Sequence, residues 1–348
     1  MRCILLKGHT RALTCVIYNP DGDLIFTASK DHVPSLWLSD SGERIGTYNG
    51  HEGAVWELDC NWDSSLLLSV SADMTARLWE VETGVEVARF AHTGPVRSCQ
   101  FDEGGKRFVT ISDPFGSMEA GKPPLLRVYE REPSGDAAAW ALAAELQLPH
   151  PDAEGEARCQ LVRWMPLTEK PEDDNRILTA FSDGSLRVLD PYAHKELKRV
   201  DAHEKKFFFS YNGNKTLLLT ASADFCARLW DLETFECLQT YRTDRPLNAC
   251  VISPLKDHVY LGGGQDAMSV TTTAGKQGHF ECCLWEMIYG EEMGRIKGHF
   301  GPINALAVNP DGRSYCSGSE DGYVRLHHFG ADYLERRDPV PEEIEGEG

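Results

Sequence analysis

The stretch GHTRALTCVIYNPDGDLIFTASKDHVPSLW, residues 8–37, contains three short segments rich in β-branched, aromatic and aliphatic residues. These segments, LTCVIY, LIFTAS and SLW, are separated by NPDGD and KDHVP, whose Asn, Pro, Asp and Gly residues favour turns. The pattern predicts three antiparallel strands within one small unit. A His stands before the first strand and an Asp–x5–Trp spacing ends the unit.

The same unit recurs along the chain. Its His residues are His9, His51, His92, His150, His203 and His299, spaced by 42, 41, 58, 53 and 96 residues, and the last interval holds one further unit near Arg245. A repeat of roughly 40 to 45 residues that opens with Gly-His and ends with Trp is typical of WD-repeat β-propellers, in which each blade has four strands. The sequence therefore predicts an all-β protein, a seven-bladed propeller.

The two ends of the chain predict how the ring closes. CILLKGH at residues 3–9 matches the segments that precede other units, such as RIKGH, but no unit lies before it. We expect it to form the outer strand of the last blade, whose other strands come from about residues 303–329. We expect one propeller domain over residues 1–334 and an acidic, disordered tail over residues 335–348, because DPVPEEIEGEG holds five acids and no base.

Four residue types recur at fixed positions, and we interpret them as structural tetrads. His, Ser and Asp also form hydrolytic triads, but a catalytic site is assembled once, whereas this set recurs in separate blades. In propellers of this kind the four groups bond one another or nearby backbone, which satisfies buried polar atoms. The predicted sets are His9, Ser29, Asp31 and Trp37; His51, Ser71, Asp73 and Trp79; His203, Ser222, Asp224 and Trp230; and His299, Ser319 and Asp321, with His327 at the Trp position.

Several units depart from this pattern. Tyr129 takes the Trp position in the third unit, Phe181 and Leu189 replace Ser and Trp in the fourth, and Asp266 is 19 residues from Trp285 in the sixth. Polar inserts occupy 114–124, 133–158 and 168–175, and their roles stay open. The segment AAAWALAAE at 137–145 is compatible with either a short helix or an outer strand.

The sixth unit carries a specific resemblance. The segments LGGGQDAMSVTTTAGKQGHF (261–280), GRIKGHFGPIN (294–304), RTDRPLNACVISPLKDHVYLGGGQ (242–265) and GERIGTYNGHEGAVW (42–56) resemble the WD-repeat i subunit of eukaryotic translation initiation factor three. Gly262–Gly264 are not expected to bind phosphate, because β-rich sequence and not a helix follows them. A WD-repeat scaffold of a kinase-receptor or RNA-processing complex is the alternative.

The resemblance implies a non-catalytic scaffold that binds the C-terminal segment of the b subunit and also the g subunit, and that supports pre-initiation complex assembly and scanning on the small ribosomal subunit. It places the main contact on blades five and six, roughly residues 203–285. Acidic and aromatic side chains there would suit a helix that presents an aromatic and an Arg. The candidate partner-binding residues are Asp231, Glu233, Phe235, Glu236, Tyr241 and Asp244.

Composition limits the classes of partner. With 35 Lys and Arg against 54 Asp and Glu, the net charge is −19, which disfavours broad contact with nucleic acid. We expect a monomer within a hetero-oligomer that reaches the ribosome indirectly. Eleven cysteines without Cys-x-x-Cys spacing, no signal peptide and no membrane-length apolar run favour a cytoplasmic location. No cofactor, metal site or catalytic centre is expected.

Overall fold

The computed structural model describes residues 1–116, 121–132, 139–150, 157–166, 174–264 and 280–335. This part of the chain is almost entirely β-structure, with one short helix, α1, at Ala331–Leu334. The strands are β1 (Arg2–Leu6), β2 (Leu13–Tyr18), β3 (Leu24–Ser29), β4 (Ser35–Leu38), β5 (Arg44–Thr47), β6 (Val55–Cys60), β7 (Leu66–Ser71), β8 (Thr75–Glu80), β9 (Glu86–Ala91), β10 (Val96–Phe101), β11 (Arg107–Ser112), β12 (Leu125–Arg131), β13 (Trp140–Gln147), β14 (Cys159–Trp164), β15 (Ile177–Phe181), β16 (Ser185–Asp190), β17 (Lys195–Asp201), β18 (Phe207–Tyr211), β19 (Leu217–Ser222), β20 (Cys226–Asp231), β21 (Cys237–Arg242), β22 (Leu247–Ile252), β23 (His258–Gly263), β24 (Cys282–Glu286), β25 (Glu292–Ile296), β26 (Ile303–Val308), β27 (Ser314–Ser319) and β28 (Val324–His328).

These strands form seven antiparallel sheets of four strands each. Blades one to six take consecutive strands, from β2–β5 to β22–β25, and blade seven combines β26, β27 and β28 with β1. The innermost strands of neighbouring blades lie side by side, and β2 contacts both β6 and β26, so the ring is closed. The predicted seven-bladed propeller is confirmed.

The N-terminal strand closes the ring as predicted. β1 pairs with β28 in antiparallel register from Arg2 opposite His328 to Leu6 opposite Val324. Leu6 is buried against a core cluster that includes Leu13 and Leu326. The first and last segments of the sequence therefore share one sheet, which leaves no unpaired strand between blades seven and one.

Burial along each blade explains the strand sequences. The second strand of a blade lies between two strands and two neighbouring blades, and every residue of β7, β23 and β27 is buried. These strands are therefore continuous runs of buried residues and do not alternate between buried apolar and exposed polar positions. The outer strand faces solvent, and all but one residue of β17 is exposed.

The two NPDG turns meet in the structure. Gly22 and Gly312 have φ angles of 78° and 70°, which favour glycine, and the amide of Asn309 donates a hydrogen bond of 2.8 Å to the carbonyl of Gly22. Within the first turn, the side-chain oxygen of Asn19 accepts from the N–H of Leu24 at 2.9 Å. The Asn of this motif therefore fixes its own turn in blade one and ties blade seven to blade one.

The structure resolves one choice that the sequence left open. Trp140–Gln147 is β13, the outer strand of blade three, and not a helix. Of the inserts, 117–120, 133–138, 151–156 and 167–173 lie outside the described residues, as do Asp266 within the 265–279 segment and residues 336–348 of the acidic tail. Near the end of the described chain, α1 places Tyr333 on the cluster around Tyr260, Tyr315 and Phe329.

Candidate protein-interaction surfaces

The two ends of the blades form two faces of the propeller, which we distinguish by the turns that each face carries. The upper face carries the turns between the second and third strands and the connections between blades. The lower face carries the turns between the first and second strands and between the third and fourth strands. Because the strands are only four to eight residues long, the two faces are separated by roughly 20 Å.

The predicted His, Asp and Trp residues come together at the upper end of blades one, two and five. In blade two, His51 Nδ1 lies 2.7 Å from Asp73 Oδ2 and His51 Nε2 lies 2.7 Å from Ser69 Oγ, which accepts the indole N–H of Trp79 at 2.8 Å. The hydroxyl between His and Trp is therefore Ser69 and not Ser71. The corresponding bridges join His9 and Trp37 through Thr27, and His203 and Trp230 through Thr220.

The predicted serines have a different task. Ser71 Oγ donates to the carbonyl of Gly53 at 2.9 Å and accepts from the N–H of Asp73 at 3.1 Å. Such a serine fixes the turn that carries the Asp and does not itself bond the His or the Trp. The sequence contains a signal for the bridging hydroxyl, because Ser or Thr stands four residues before each tetrad Asp. Ser29, Ser222 and Ser319 make the equivalent contacts.

The His–Asp pairs are stabilising contacts with perturbed carboxyl groups. Burial alone would raise the pKa of Asp73, but hydrogen bonds from His51 and Thr75 outweigh burial and hold that pKa well below its usual range. Burial also opposes ionisation of Asp31, Asp224 and Asp321, but hydrogen bonds from the blade's own His and from backbone N–H groups outweigh it and lower the pKa of each. In blade seven, His299 bonds Asp321 and Ser317, and His327 stacks on Tyr315 at 4.7 Å in place of a Trp.

Blade three keeps the His without its Asp. His92 Nδ1 donates to the carbonyl of Phe90 at 3.1 Å, so the other ring nitrogen, 2.9 Å from Thr110 Oγ1, is the acceptor. Burial lowers the pKa of His92 to about 4 and Arg127 adds to the effect. Asp113 instead accepts from Arg97 Nε at 2.5 Å.

Blade six has Thr243 at the His position, where its N–H donates to the carbonyl of Phe225 as the N–H of His92 does to Met74. Arg245 is buried, donates to Asp244 at 2.8 Å and lies 3.5 Å from Glu281. Arg295 also donates to Asp244, at 2.9 Å, so two guanidinium groups share its carboxylate and hold its pKa well below the usual range. Leu261 occupies the place of the bridging hydroxyl, and the Trp285 indole N–H has no hydrogen-bond partner within the described chain.

The six candidate partner-binding residues do not form one surface. Asp231, Glu233, Phe235 and Glu236 lie at the turn between β20 and β21 on the lower face, whereas Asp244 lies beyond the opposite end of β21 on the upper face. Tyr241 is completely buried and donates to the carbonyl of Met287 at 2.6 Å. Sequence proximity misled this interpretation because successive residues of an outer strand run from one face to the other.

Asp231 holds its own turn together. Its Oδ1 accepts from the N–H groups of Glu233 and Thr234 at 3.1 and 2.7 Å and from the Thr234 hydroxyl at 2.9 Å. These bonds from Thr234 and Glu233 lower its pKa. Charge reversal at Asp231 would therefore change the turn as well as the surface, so Asp231 is a poor probe of partner binding.

Phe235 adopts an uncommon backbone conformation in the same turn. Its φ is 61°, where the equivalent turns of blades one, two and six have Gly42, Gly84 and Gly290. A bulky residue with positive φ costs about 1–2 kcal/mol. Its half-buried ring packs on the core cluster below and under the Lys198 ammonium, 4.4 Å away, and these contacts offset part of that cost.

An exposed apolar surface lies on the lower face between blades five and six. Leu238, Ile288 and Tyr289 expose 54, 56 and 50% of their surface. The Gln239 amide donates to the carbonyl of Ile288 at 2.8 Å, which holds the blade-six turn against β21. We call Leu238, Ile288, Tyr289 and the exposed Glu236 the five–six patch. The sequence did not identify it, because its members belong to an outer strand of one blade and a turn of the next.

Among the described residues, no group of three or more His, Cys, Asp or Glu could hold a metal ion, and no helix there is long and apolar enough to cross a membrane. The eleven cysteines are all free thiols.

Comparisons with known proteins agree with this architecture. The sequence profile of the EIF3I family matches residues 1–337. The protein named eukaryotic translation initiation factor 3 subunit I is 41% identical over 337 residues in Drosophila willistoni, covering 95% of this chain and 99% of that protein. The proteins of the same name from Culex quinquefasciatus and Taeniopygia guttata are 39 and 40% identical, each over 96% of this chain and over 99 and 98% of their own lengths. The chain therefore belongs to the EIF3I family.

Proposed function

We propose that this protein is a non-catalytic scaffold subunit of eukaryotic translation initiation factor 3 in the cytoplasm. In this proposal it binds the C-terminal segment of the b subunit and also the g subunit, and thereby supports assembly and scanning of the pre-initiation complex on the small ribosomal subunit. Family membership supports the complex, and the five–six patch is the observation that carries the contact. The tetrads support a structural role, because their polar groups bond within their own blades.

The chemistry of the five–six patch fits an amphipathic, basic segment. Leu238, Ile288 and Tyr289 offer apolar contact, and the exposed carboxylates of Glu233 and Glu236 stand on the same lower face. Interfaces with an apolar centre and a charged rim gain affinity from the centre and orientation from the rim. We therefore place the segment of the b subunit on this patch, with its apolar side toward Leu238 and Ile288 and its basic side toward the two carboxylates.

The direct test measures binding of the purified C-terminal segment of the b subunit by calorimetry. Leu238→Ser and Ile288→Ser should each weaken binding by about tenfold, which corresponds to an interface contact of about 1.4 kcal/mol. Both side chains are exposed, so the melting temperature should change little. Val85→Ser is the matched control, since Val85 is equally exposed in the corresponding turn of blade two. Equal affinity of all three variants would place the contact elsewhere.

A second experiment tests membership and the competing assemblies. Affinity purification of the tagged chain from its own cells should recover the other subunits of the initiation factor, and Ile288→Ser should selectively reduce recovery of the b subunit. Recovery of a kinase-receptor or RNA-processing complex without initiation-factor subunits would contradict the proposal. The same purifications test the contact with the g subunit. Recovery of the g subunit is compared between the unmodified chain, which retains the b subunit, and Ile288→Ser, which recovers less of it.

A further inference from the structure

The upper mouth of the central channel is a cavity of about 640 Å³ lined by the first strands of the blades. One side of this mouth is formed by successive blades two, three, four and five. We call five of its residues the basic arc: Trp56, Arg97, Arg158, Lys206 and Phe208. They place three cations and two aromatic rings side by side in a protein whose net charge is −19.

The basic arc holds more cationic side chains than carboxylates that pair with them. Arg97 and Arg158 share one carboxylate, since their Nε atoms lie 2.5 and 3.6 Å from Asp113. Lys206 is exposed and has no ion pair with any described residue. Three cations against one carboxylate leave a net charge of +2.

The opposite side of the mouth is neutral. There the ammonium of Lys30 lies 3.0 Å from Glu320, and the neighbouring lining residues Asn248 and Asn304 are uncharged. The positive potential is therefore confined to the arc, which gives a bound segment a preferred side of the channel.

Apolar surface is interleaved with these charges. Arg97 lies over the Trp56 ring, 4.5 Å from its centroid, and Phe208 is exposed two residues after Lys206. A cation that stacks on an aromatic ring keeps its remaining N–H donors available for a carboxylate. Phe208 offers contact area to an apolar side chain placed between two acids.

We propose that the basic arc binds an extended acidic peptide segment of a partner protein, with carboxylates on Arg158 and Lys206 and an apolar side chain on Phe208. A peptide fits better than RNA. Three cations in one mouth do not form the continuous positive track along which single-stranded nucleic acid is held, and the net charge of −19 repels a long polyanion. The arc lies on the upper face and the five–six patch on the lower face, so this site is additional to the proposed contact with the b subunit.

The test uses fluorescence anisotropy with labelled synthetic probes and the full chain. The main probe is a heptapeptide with one tryptophan between two runs of three glutamates. One control probe replaces the glutamates with glutamines, a second replaces the tryptophan with alanine, and a third is a ten-nucleotide uridine RNA. We expect the glutamate–tryptophan probe to bind, the glutamine probe to bind at least about tenfold more weakly, and the alanine probe to lie between them.

Variants then locate the binding. Lys206→Glu and Arg158→Glu should each weaken the main probe about fivefold, in proportion to the loss of an exposed ion pair and its replacement by repulsion. Lys195→Glu is the matched control, because Lys195 is exposed on the lower face and makes the same change in net charge. If Arg158→Glu also lowers the melting temperature through its contact with Asp113, Lys206→Glu alone decides.

Three results would overturn the proposal. The first is no binding of the glutamate–tryptophan probe. The second is equal weakening by Lys195→Glu and Lys206→Glu, which would reflect net charge alone. The third is tighter binding of the uridine RNA with the same sensitivity to Lys206→Glu, which would identify a nucleic-acid site. None of these outcomes bears on the five–six patch, which is tested by its own variants.

Discussion

At the scale of single residues, one hydroxyl in each regular blade connects the outer part of the blade with its inner part. Thr220 stands between the His203 ring and the Trp230 indole, 2.7 and 3.0 Å away, and is fully buried. The other ring nitrogen of His203, Nδ1, lies 2.9 Å from Asp224 Oδ2. Loss of the hydroxyl leaves a buried indole N–H and a buried ring nitrogen without this partner, and such losses are costly.

Thr220→Val should therefore lower the free energy of unfolding by about 2–3 kcal/mol, because it keeps the branched shape while removing the hydroxyl. The measurement is a denaturant titration followed by tryptophan fluorescence and circular dichroism. Thr83→Val is the control, since the Thr83 hydroxyl bonds Glu80 and the N–H of Val85 at an exposed turn, and its effect should stay within about 0.5 kcal/mol. Equal effects of the two substitutions would show that the hydroxyl bridge contributes nothing beyond an ordinary surface bond.

His92 makes the stability of the protein depend on pH. Its folded pKa is about 4, whereas a His in an unfolded chain titrates near 6.5. Between these values the unfolded state binds more protons, so the free energy of unfolding falls as pH falls from about 6.5 to about 4. The gap between the two pKa values corresponds to about 3 kcal/mol at most.

Chemical denaturation at a series of pH values measures this dependence. His92→Gln should reduce the fall between about pH 6.5 and pH 4, whatever its effect at neutral pH, because one buried His is gone. Part of the fall should remain, since burial also lowers the pKa of His327 to about 4 and lowers the pKa of His203. His194→Asn removes a His that is exposed in a turn, and it should leave the slope unchanged. A slope that is the same in His92→Gln and in the unmodified protein would contradict the assignment. Below pH 4, the lowered pKa of Asp73 and Asp321 predicts a further loss of stability in both proteins.

At the scale of the strand, the contacts that hold neighbouring blades together explain how far sequence reasoning could go. The strands, their turns and the closing β1 follow from periodicity and turn residues, which are local. The link from β6 to β10 is not local: Glu57 and Asp59 accept from the backbone N–H groups of Cys99 and Phe101 at 2.8 and 2.6 Å. Gln100 repeats this toward Trp164 in β14 at 2.7 Å.

The sequence gives no sign of these inter-blade bonds, because the partners lie 42 and 64 residues apart and the acceptors look like solvent-facing residues of a strand. The same limit applies to the surfaces. Tyr241 was predicted to bind a partner but is buried, while Ile288, which no sequence pattern singles out, is exposed. Both depend on how adjacent blades pack, which a single repeat does not encode.

Removal of residues 1–7 tests the role of β1. The deletion removes a five-residue ladder with β28 and the buried side chain of Leu6, and it exposes the edge of β28. We expect the melting temperature to fall by at least about 5 °C, since several kcal/mol of pairing and burial are lost. Deletion of residues 338–348 is the control and should change the melting temperature little, because we expect those acidic residues to form a tail outside the propeller. An N-terminally shortened protein that melts like the parent would contradict closure by β1.

At the scale of the whole molecule, the propeller is a closed ring with two faces, and the two proposed contacts lie on different faces. The five–six patch is on the lower face, and the basic arc is on the upper face in blades two to five. The faces are roughly 20 Å apart, which exceeds the screening distance of about 8 Å at physiological ionic strength. The core clusters on the two sides of blade five are both buried, which favours a rigid connection between the two surfaces.

Two segments should therefore bind at once and independently. In an anisotropy titration, saturation with the segment of the b subunit should change the Kd of the glutamate–tryptophan heptapeptide by less than about twofold, because neither contact nor unscreened charge links the surfaces. Ile288→Ser should raise the concentration of that segment needed for saturation about tenfold without changing heptapeptide affinity. Lys206→Glu should weaken the heptapeptide about fivefold without changing the affinity of that segment. A fivefold change in heptapeptide affinity on addition of the segment, lost in Ile288→Ser, would instead show that the ring transmits a conformational change between its faces.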